Sequence, residues 1–89
     1  MIMNYKLINN PKNNQVEAYV EEKMVGICKY TENNNTINII HTSVDSKYQG
    51  QGIAKTMVEF VIKNVTTQNK TIKADCSYAK KVIDKVKDN

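Results

Sequence analysis

Three groups of residues in this chain are equipped for chemistry. The first is the run Val44-Asp45-Ser46-Lys47-Tyr48-Gln49-Gly50-Gln51-Gly52-Ile53-Ala54. Its glycines allow the backbone to approach a ligand closely, and the helical period that begins at its end leaves the first four N–H groups without internal partners. Those donors, with the positive end of the helix dipole, suit an anion and most often a phosphate. The second is His41, the only histidine; an imidazole titrates ordinarily at about 6.5, which suits proton transfer near neutral pH. The third is Cys76, within Asp75-Cys76-Ser77, residue types that favour a helix N-cap. A helix N-terminus stabilises a thiolate and can make a cysteine there a nucleophile. Each has a plainer alternative: a β–α turn with glycines for packing, a strand histidine packed beside Ile39, and a buried structural thiol.

The elements that must position these residues follow from periodicity. Residues 3–8 form a plausible first strand, and Asn9-Asn10-Pro11-Lys12-Asn13-Asn14 is dense in turn formers. Residues 15–21 alternate, with Val16, Ala18 and Val20 on one face and Glu17, Tyr19 and Glu21 on the other. After a Glu22-Lys23 connection, residues 24–31 make a third strand, with Val25 and Ile27 opposite Gly26, Cys28 and Tyr30. Beyond a turn at 32–35, residues 36–42 make a fourth, in which Ile37, Ile39 and His41 are expected to point one way. Short turns between successive strands predict an antiparallel meander. The main helix is expected from Gly52 to about Val65, with Met57, Phe60, Val61 and Val65 inward and Lys55, Glu59 and Lys63 at i, i+4 intervals outward. Residues 71–74 form a fifth strand, parallel to the fourth through a right-handed crossover. Ala79, Val82, Ile83 and Val86 mark a closing helix. The predicted class is α+β, in the order β-β-β-β-α-β-α.

The loop wording is more specific than its geometry. Gln49-x-x-Gly52-x-Ala54 resembles the Q/R-x-x-G-x-G/A signature of the GNAT acyltransferase superfamily, which binds the pyrophosphate of acyl-coenzyme A. The longer run is similar to the family's V-x-P-x-Y-R-G-x-G-I-G, matched at Val44, Tyr48, Gly50, Gly52 and Ile53. Ser46 replaces the proline, Gln49 the commoner arginine and Ala54 the last glycine. The resemblance in layout extends from about residue 15 to about residue 80 and is to the minimal, single-domain branch. Larger members begin with a strand and one or two helices that help wall the acceptor site, where this chain has residues 9–14. The resemblance implies acetyl-coenzyme A as cofactor. Backbone N–H groups of Gln49, Gly50, Gln51, Gly52, Ile53 and Ala54 would hold the diphosphate, and backbone groups near Val44 the amide arm of pantetheine. Lys47, Lys55 or Lys81 would meet the 3′-phosphate. It also implies Cys76 as an active-site residue, within Cys-Ser-Tyr, and Tyr78 as the donor that protonates the departing thiolate. His41 is the candidate base for the acceptor amine.

Eighty-nine residues with 40% hydrophobic and 25% charged content predict one small globular domain over residues 1–89. A net charge of +4 favours anionic ligands, coenzyme A and nucleic acid alike. Neither cysteine, Cys28 nor Cys76, fits a metal-ligand spacing, and Cys28 in mid-strand reads as inert. The chain start lacks a signal-peptide plan and no apolar run approaches membrane-spanning length. The expectation is therefore a cytoplasmic protein with reduced thiols, no membrane contact and no metal. The leading expectation is an acetyl-coenzyme A-dependent N-acetyltransferase acting on an undefined small-molecule or peptide amine, directly or through Cys76, with an acceptor site that is open and shallow or completed by a protein partner. The rival is a non-catalytic acyl-coenzyme A-binding protein or subunit. A basic nucleic-acid-binding module is disfavoured, because no recognition motif or aromatic–basic stripe is present.

Overall fold

The computed structural model describes residues 4–87. Five strands form one sheet in chain order, β1 (Lys6–Asn10), β2 (Gln15–Val20), β3 (Lys23–Asn33), β4 (Thr36–Val44) and β5 (Thr71–Ala74). The first four pair antiparallel; β4 and β5 pair parallel, with Thr36 opposite Thr71 and Ile39 opposite Ala74. Helix α1 (Ile53–Thr67) makes the crossover between them and α2 (Ser77–Lys87) follows β5. The α+β class and the element order are therefore as the sequence predicts.

The boundaries move for local reasons. The first strand covers residues 6–10, later than the expected 3–8, and Met3 lies outside the described residues. Pro11–Asn13 is a single 3-10 turn, with Pro11 supplying the fixed φ and Asn10 capping Asn13 N–H. The second and third hairpins of the meander turn through residue pairs in left-handed conformation, Glu21-Glu22 (φ 50° and 71°) and Asn34-Asn35 (φ 51° and 65°). Such pairs match the twist of the flanking strands, so β3 is longer at both ends than the expected 24–31.

One core cluster holds the sheet to both helices. Val16, Ala18, Cys28, Ile37 and Ile39 from the strands meet Ile53, Met57, Val58, Val61 and Val65 of α1 and Ala79, Val82 and Ile83 of α2. Met57 is wholly buried, and fully burying a side chain of this size contributes about 1.5–3 kcal/mol. Phe60, expected inside, is only partly buried at the edge of that cluster. Gly26 sits under Met57: a Cβ there would come within 3.1 Å of Met57 Cε and 3.3 Å of the Ser43 carbonyl oxygen. The absent side chain is what lets α1 lie close to the sheet. Among the described residues no helix covers the opposite face.

Two bulges redirect side chains. In β3 the pairing jumps from Ala18–Gly26 to Tyr19–Met24, leaving Val25 extra and tucked into the core. In β4 it jumps from Lys29–His41 to Tyr30–Ile39, so Ile40 is the extra residue. Strict alternation puts His41 beside Ile37 and Ile39. The bulge instead turns His41 to the uncovered face and brings Thr42 onto the helix side, opposite Cys28.

Candidate active site

The strand pair β4–β5 is joined only as far as Ile39 and Ala74, while β4 runs on to Val44. Beyond that pairing the Ile39 carbonyl accepts from both Asp75 N–H (3.0 Å) and Cys76 N–H (3.1 Å), which turns the chain into α2. The two strands part there. At the far end of β4 the chain is pinned to β3 by Asp45 N–H donating to the Val25 carbonyl (2.7 Å). A 3-10 turn at Ser46–Tyr48 follows, capped by the Asp45 carboxylate on Lys47 N–H (3.0 Å).

The loop then runs into α1 with a stretch of amides that lack well-formed backbone hydrogen bonds among the described residues. Tyr48 N–H donates to the Asp45 carbonyl and Thr56 N–H to the Gly52 carbonyl. Between them the amides of Gln49, Gly50, Gln51, Gly52, Ile53, Ala54 and Lys55 have no acceptor among the described residues. Gly50 and Gly52 sit at φ 79° and 84°, and a Cβ built on either would meet no atom within 4 Å. The glycines serve conformation and leave open space above the backbone. Gly52 is the N-cap of α1 and provides no side-chain cap, so the dipole end stays exposed. Tyr5 OH donates to Thr56 Oγ1 (2.9 Å), which donates to the Gly52 carbonyl (2.8 Å). That chain ties the helix mouth to the segment before β1, a link with no local sequence signal.

A cleft of about 220 Å³ is lined by Val44, Tyr48, Gln49, Gly50, Gly52, Ile53, Ala54 and Tyr78. It gathers most of the residues singled out from the sequence, Tyr48 of the motif among them, while Cys76 does not line it. Gln51 stays outside, exposed on the loop. The Val44 carbonyl, expected to be free, accepts from Gln49 Nε2 (3.1 Å), so Gln49 closes the loop back on the strand end. Lys81 lies elsewhere, in a groove of about 250 Å³ between the helices shared with Lys55, Glu59 and Lys85.

Cys76 immediately precedes α2, and its carbonyl accepts from Lys80 N–H (2.9 Å), as an N-cap residue's does. It is partly buried, and its Sγ donates to Thr42 Oγ1 (3.8 Å). Thr42 Oγ1 in turn donates to Cys28 Sγ (3.8 Å). Burial pushes the Cys28 thiol up to about 11, with the Thr42 bond opposing and Cys76 adding a little. The sequence gives no sign that the two cysteines meet across one hydroxyl. Tyr78 is 41% exposed at the cleft, and partial burial first, then Glu59 and Cys76, raise its phenol above the ordinary value. It is therefore protonated at neutral pH and able to give a proton. His41 is exposed on the other sheet face and does not join this group.

On that uncovered face Glu17 and Gln15 are each only 7% exposed. The Glu17 carboxylate accepts from Gln15 Nε2, from Asn10 Nδ2 (3.1 Å) and from Tyr19 OH (2.9 Å). The Gln15 bond first, then that from Asn10, hold its carboxyl below the ordinary 4.5 against the opposing effect of burial. A lowered carboxyl pKa adds stability that is complete above the unfolded value and is lost as pH falls through the folded one. Thermal unfolding of Glu17→Gln is therefore expected to lose less stability than the parent between pH 6 and 3; an equal acid loss in both would show that this cluster contributes nothing.

The layout is that of an α+β domain whose one helix layer presents an uncapped helix N-terminus beside two parting strands. Comparison with known proteins gives the class its name. The sequence profile described as GCN5-related N-acetyl-transferase matches residues 15–89. The chain belongs to the GCN5-related N-acetyltransferase family. It is similar to a GCN5-like protein from Staphylococcus aureus, whose solution structure superposes with a TM-score of 0.72 at 28% identity, covering 93% of this chain and 81% of that one. The fold is also that of the ribosomal-protein-S18-alanine N-acetyltransferase from Escherichia coli (TM-score 0.69, 14% identity, 81% of this chain and 50% of that one). It is shared with the PaiA N-acetyltransferase from Thermoplasma acidophilum in complex with coenzyme A (TM-score 0.60, 14% identity, 63% and 35%). The chain thus spans half or less of the length of those two enzymes. Among curated proteins no sequence matches it. Among the described residues no group of three metal-ligating side chains converges, and no helix is long and apolar enough to cross a membrane.

Proposed function

We propose that this chain binds acetyl-coenzyme A and transfers the acetyl group to an amine. The observation that carries this reading is the run of seven consecutive amides, Gln49 to Lys55, none of which makes a well-formed hydrogen bond to a backbone acceptor among the described residues. A diphosphate would satisfy several of them at once and meet the positive end of α1. The coenzyme's pantetheine arm would lie along residues 40–44, where β4 has lost its partner, displacing the exposed Gln49 side chain from the Val44 carbonyl. Lys55 and Lys81 would face the 3′-phosphate from their groove. The Thermoplasma structure with coenzyme A supports the choice of cofactor by fold likeness.

Two routes of transfer suit the residues. In the first, the Cys76 thiolate attacks the acetyl carbonyl, its S–C bond forms as the thioester C–S bond breaks, and the coenzyme thiolate takes a proton from Tyr78. An amine then attacks the acetyl-cysteine, its C–N bond forms as the acetyl C–S bond breaks to release the Cys76 thiolate, and its proton returns to the Tyr78 phenolate. In the second, the amine attacks the thioester directly, its C–N bond forms as the thioester C–S bond breaks, and the coenzyme thiolate takes a proton from Tyr78. His41, on the uncovered face, is the base for an amine that arrives from that side. The two cysteines are reduced in either route.

Incubation with acetyl-coenzyme A and a panel of amines, read by thiol release, tests the activity. Thiol should appear in proportion to acetylated amine, and His41→Ala should lower that turnover by about 100-fold while leaving coenzyme affinity alone. Undiminished turnover in the variant would remove His41 from the mechanism. Binding of coenzyme A with no acetyl transfer to any amine or to Cys76 would favour the non-catalytic reading.

A further inference from the structure

We propose that Thr42 and Cys28 form a reversible hydrogen-bond relay that stabilises the ionised Cys76 thiolate, which makes Thr42 a positioning residue for the nucleophile. That this thiolate serves acetyl transfer rests on the function proposed above; the relay itself stands on geometry.

Cys76 Sγ and Cys28 Sγ each lie 3.8 Å from the same hydroxyl oxygen. As drawn, the protons run one way: the Cys76 thiol donates to Thr42 and Thr42 donates to Cys28. When Cys76 loses its proton it can only accept, and a thiolate is a stronger acceptor than a neutral thiol. Rotation about the Thr42 Cβ–Oγ1 bond then aims the hydroxyl at Cys76. Oγ1 is left needing a donor, and Cys28 has one. Its thiol is wholly buried and pushed up to about 11, so it keeps its proton at neutral pH and remains a donor. The chain becomes Cys28 S–H to Thr42 O–H to Cys76 S⁻, with no atom moving far.

This assigns a task to two residues otherwise without one. A core position in mid-strand would be filled as well by valine or alanine, yet here it carries a donor. The β4 bulge at Ile40 is what brings Thr42 onto the helix side. Few other charged or titratable groups face Cys76. Tyr78 approaches from α2, with Glu59 of α1 beyond it. Asp75 is turned away and accepts from Asn38 Nδ2 (2.9 Å), and His41 projects from the other sheet face.

Alkylation of Cys76 by iodoacetamide, followed by peptide mass across pH 6–10 in the absence of coenzyme, tests the relay apart from any acetyl transfer. Thr42→Val keeps the shape and removes the hydroxyl. It should slow alkylation at pH 7.5 by about tenfold and displace the pH profile upward. Thr42→Ser should stay within about twofold of the parent, and Cys28→Ala should fall between, because Thr42 then lacks its donor. Amide spectra confirm the fold of each. Parent-like rate and profile in Thr42→Val would overturn the relay, as would a parent-like Cys28→Ala beside a slow Thr42→Val. Coenzyme A titration of the same proteins reports separately on the functional reading. If coenzyme fails to bind while the alkylation series holds, that reading falls and the relay stands.

Discussion

A Gly52→Asp protein is expected to fold, at a stability cost of no more than about 1–3 kcal/mol, and to bind coenzyme A about 100-fold more weakly. The two halves of this expectation have different causes. Gly52 adopts φ 84° and ψ 6° as the N-cap of α1, a left-handed conformation that aspartate tolerates better than most residues. No protein atom lies within 4 Å of the Cβ it would add. A carboxylate beside a helix N-terminus is itself favourable. The left-handed backbone opposes the change by about 1–3 kcal/mol, and the carboxylate's attraction to the helix end offsets part of that. The same carboxylate would occupy the space reserved for a diphosphate and repel it. Like charges about 4 Å apart near a surface oppose one another by up to about 4 kcal/mol, and solvent screening reduces this to roughly 2–3 kcal/mol, which is the stated loss. Gly52→Asn, similar in size and uncharged, should lose about tenfold. Isothermal titration against thermal unfolding separates the effects. Parent affinity in Gly52→Asp would show that the diphosphate lies elsewhere.

Cys76→Ser carries the second large expectation. Intact mass after incubation with acetyl-coenzyme A should show one added acetyl group in the parent and none in the variant. Turnover with an amine should fall by at least about 100-fold, the scale on which removal of a group in the reaction path acts. The serine preserves size and hydrogen bonding to Thr42, so the fold and coenzyme affinity should persist. A serine hydroxyl becomes a nucleophile only with an adjacent general base, and none faces position 76 among the described residues. If the variant acetylates the amine at the parent rate, transfer is direct and the acyl-cysteine route is excluded. The Thr42 series then describes a thiol that the reaction does not use.

What the residues disclose and what they withhold divides along physical lines. The loop at 44–54 is legible because glycine, strand period and helix period are local signals, and each imposes its own backbone. Strand β5 appears at its expected bounds because the turn formers and the helix on either side leave it no freedom. Bulges are harder. Neither Val25 nor Ile40 differs in type from an ordinary strand residue, yet the extra residue at Ile40 reverses the face of His41 and of Thr42. Strict alternation therefore pairs the histidine with the wrong neighbours. The meeting of Cys28, Thr42 and Cys76 depends on three elements that are distant in sequence and adjacent only in the folded sheet. Glu17 looks like one polar residue among others on a wet face. Its enclosure by Gln15, Asn10 and Tyr19 arises from pairing across β1 and β2. The Gln49 bond to the Val44 carbonyl is equally silent, because a glutamine in a loop has many possible partners.

The central claim is that the amides at the mouth of α1 hold the diphosphate of coenzyme A. Amide-resolved titration of the unaltered protein with coenzyme A tests it most directly. The largest changes are predicted at residues 49–55, with smaller ones at Val44 and Cys76 beside the parted strands. No change at millimolar coenzyme, or changes confined to the separate cleft around Tyr30, Gln68 and Lys70, would contradict the account.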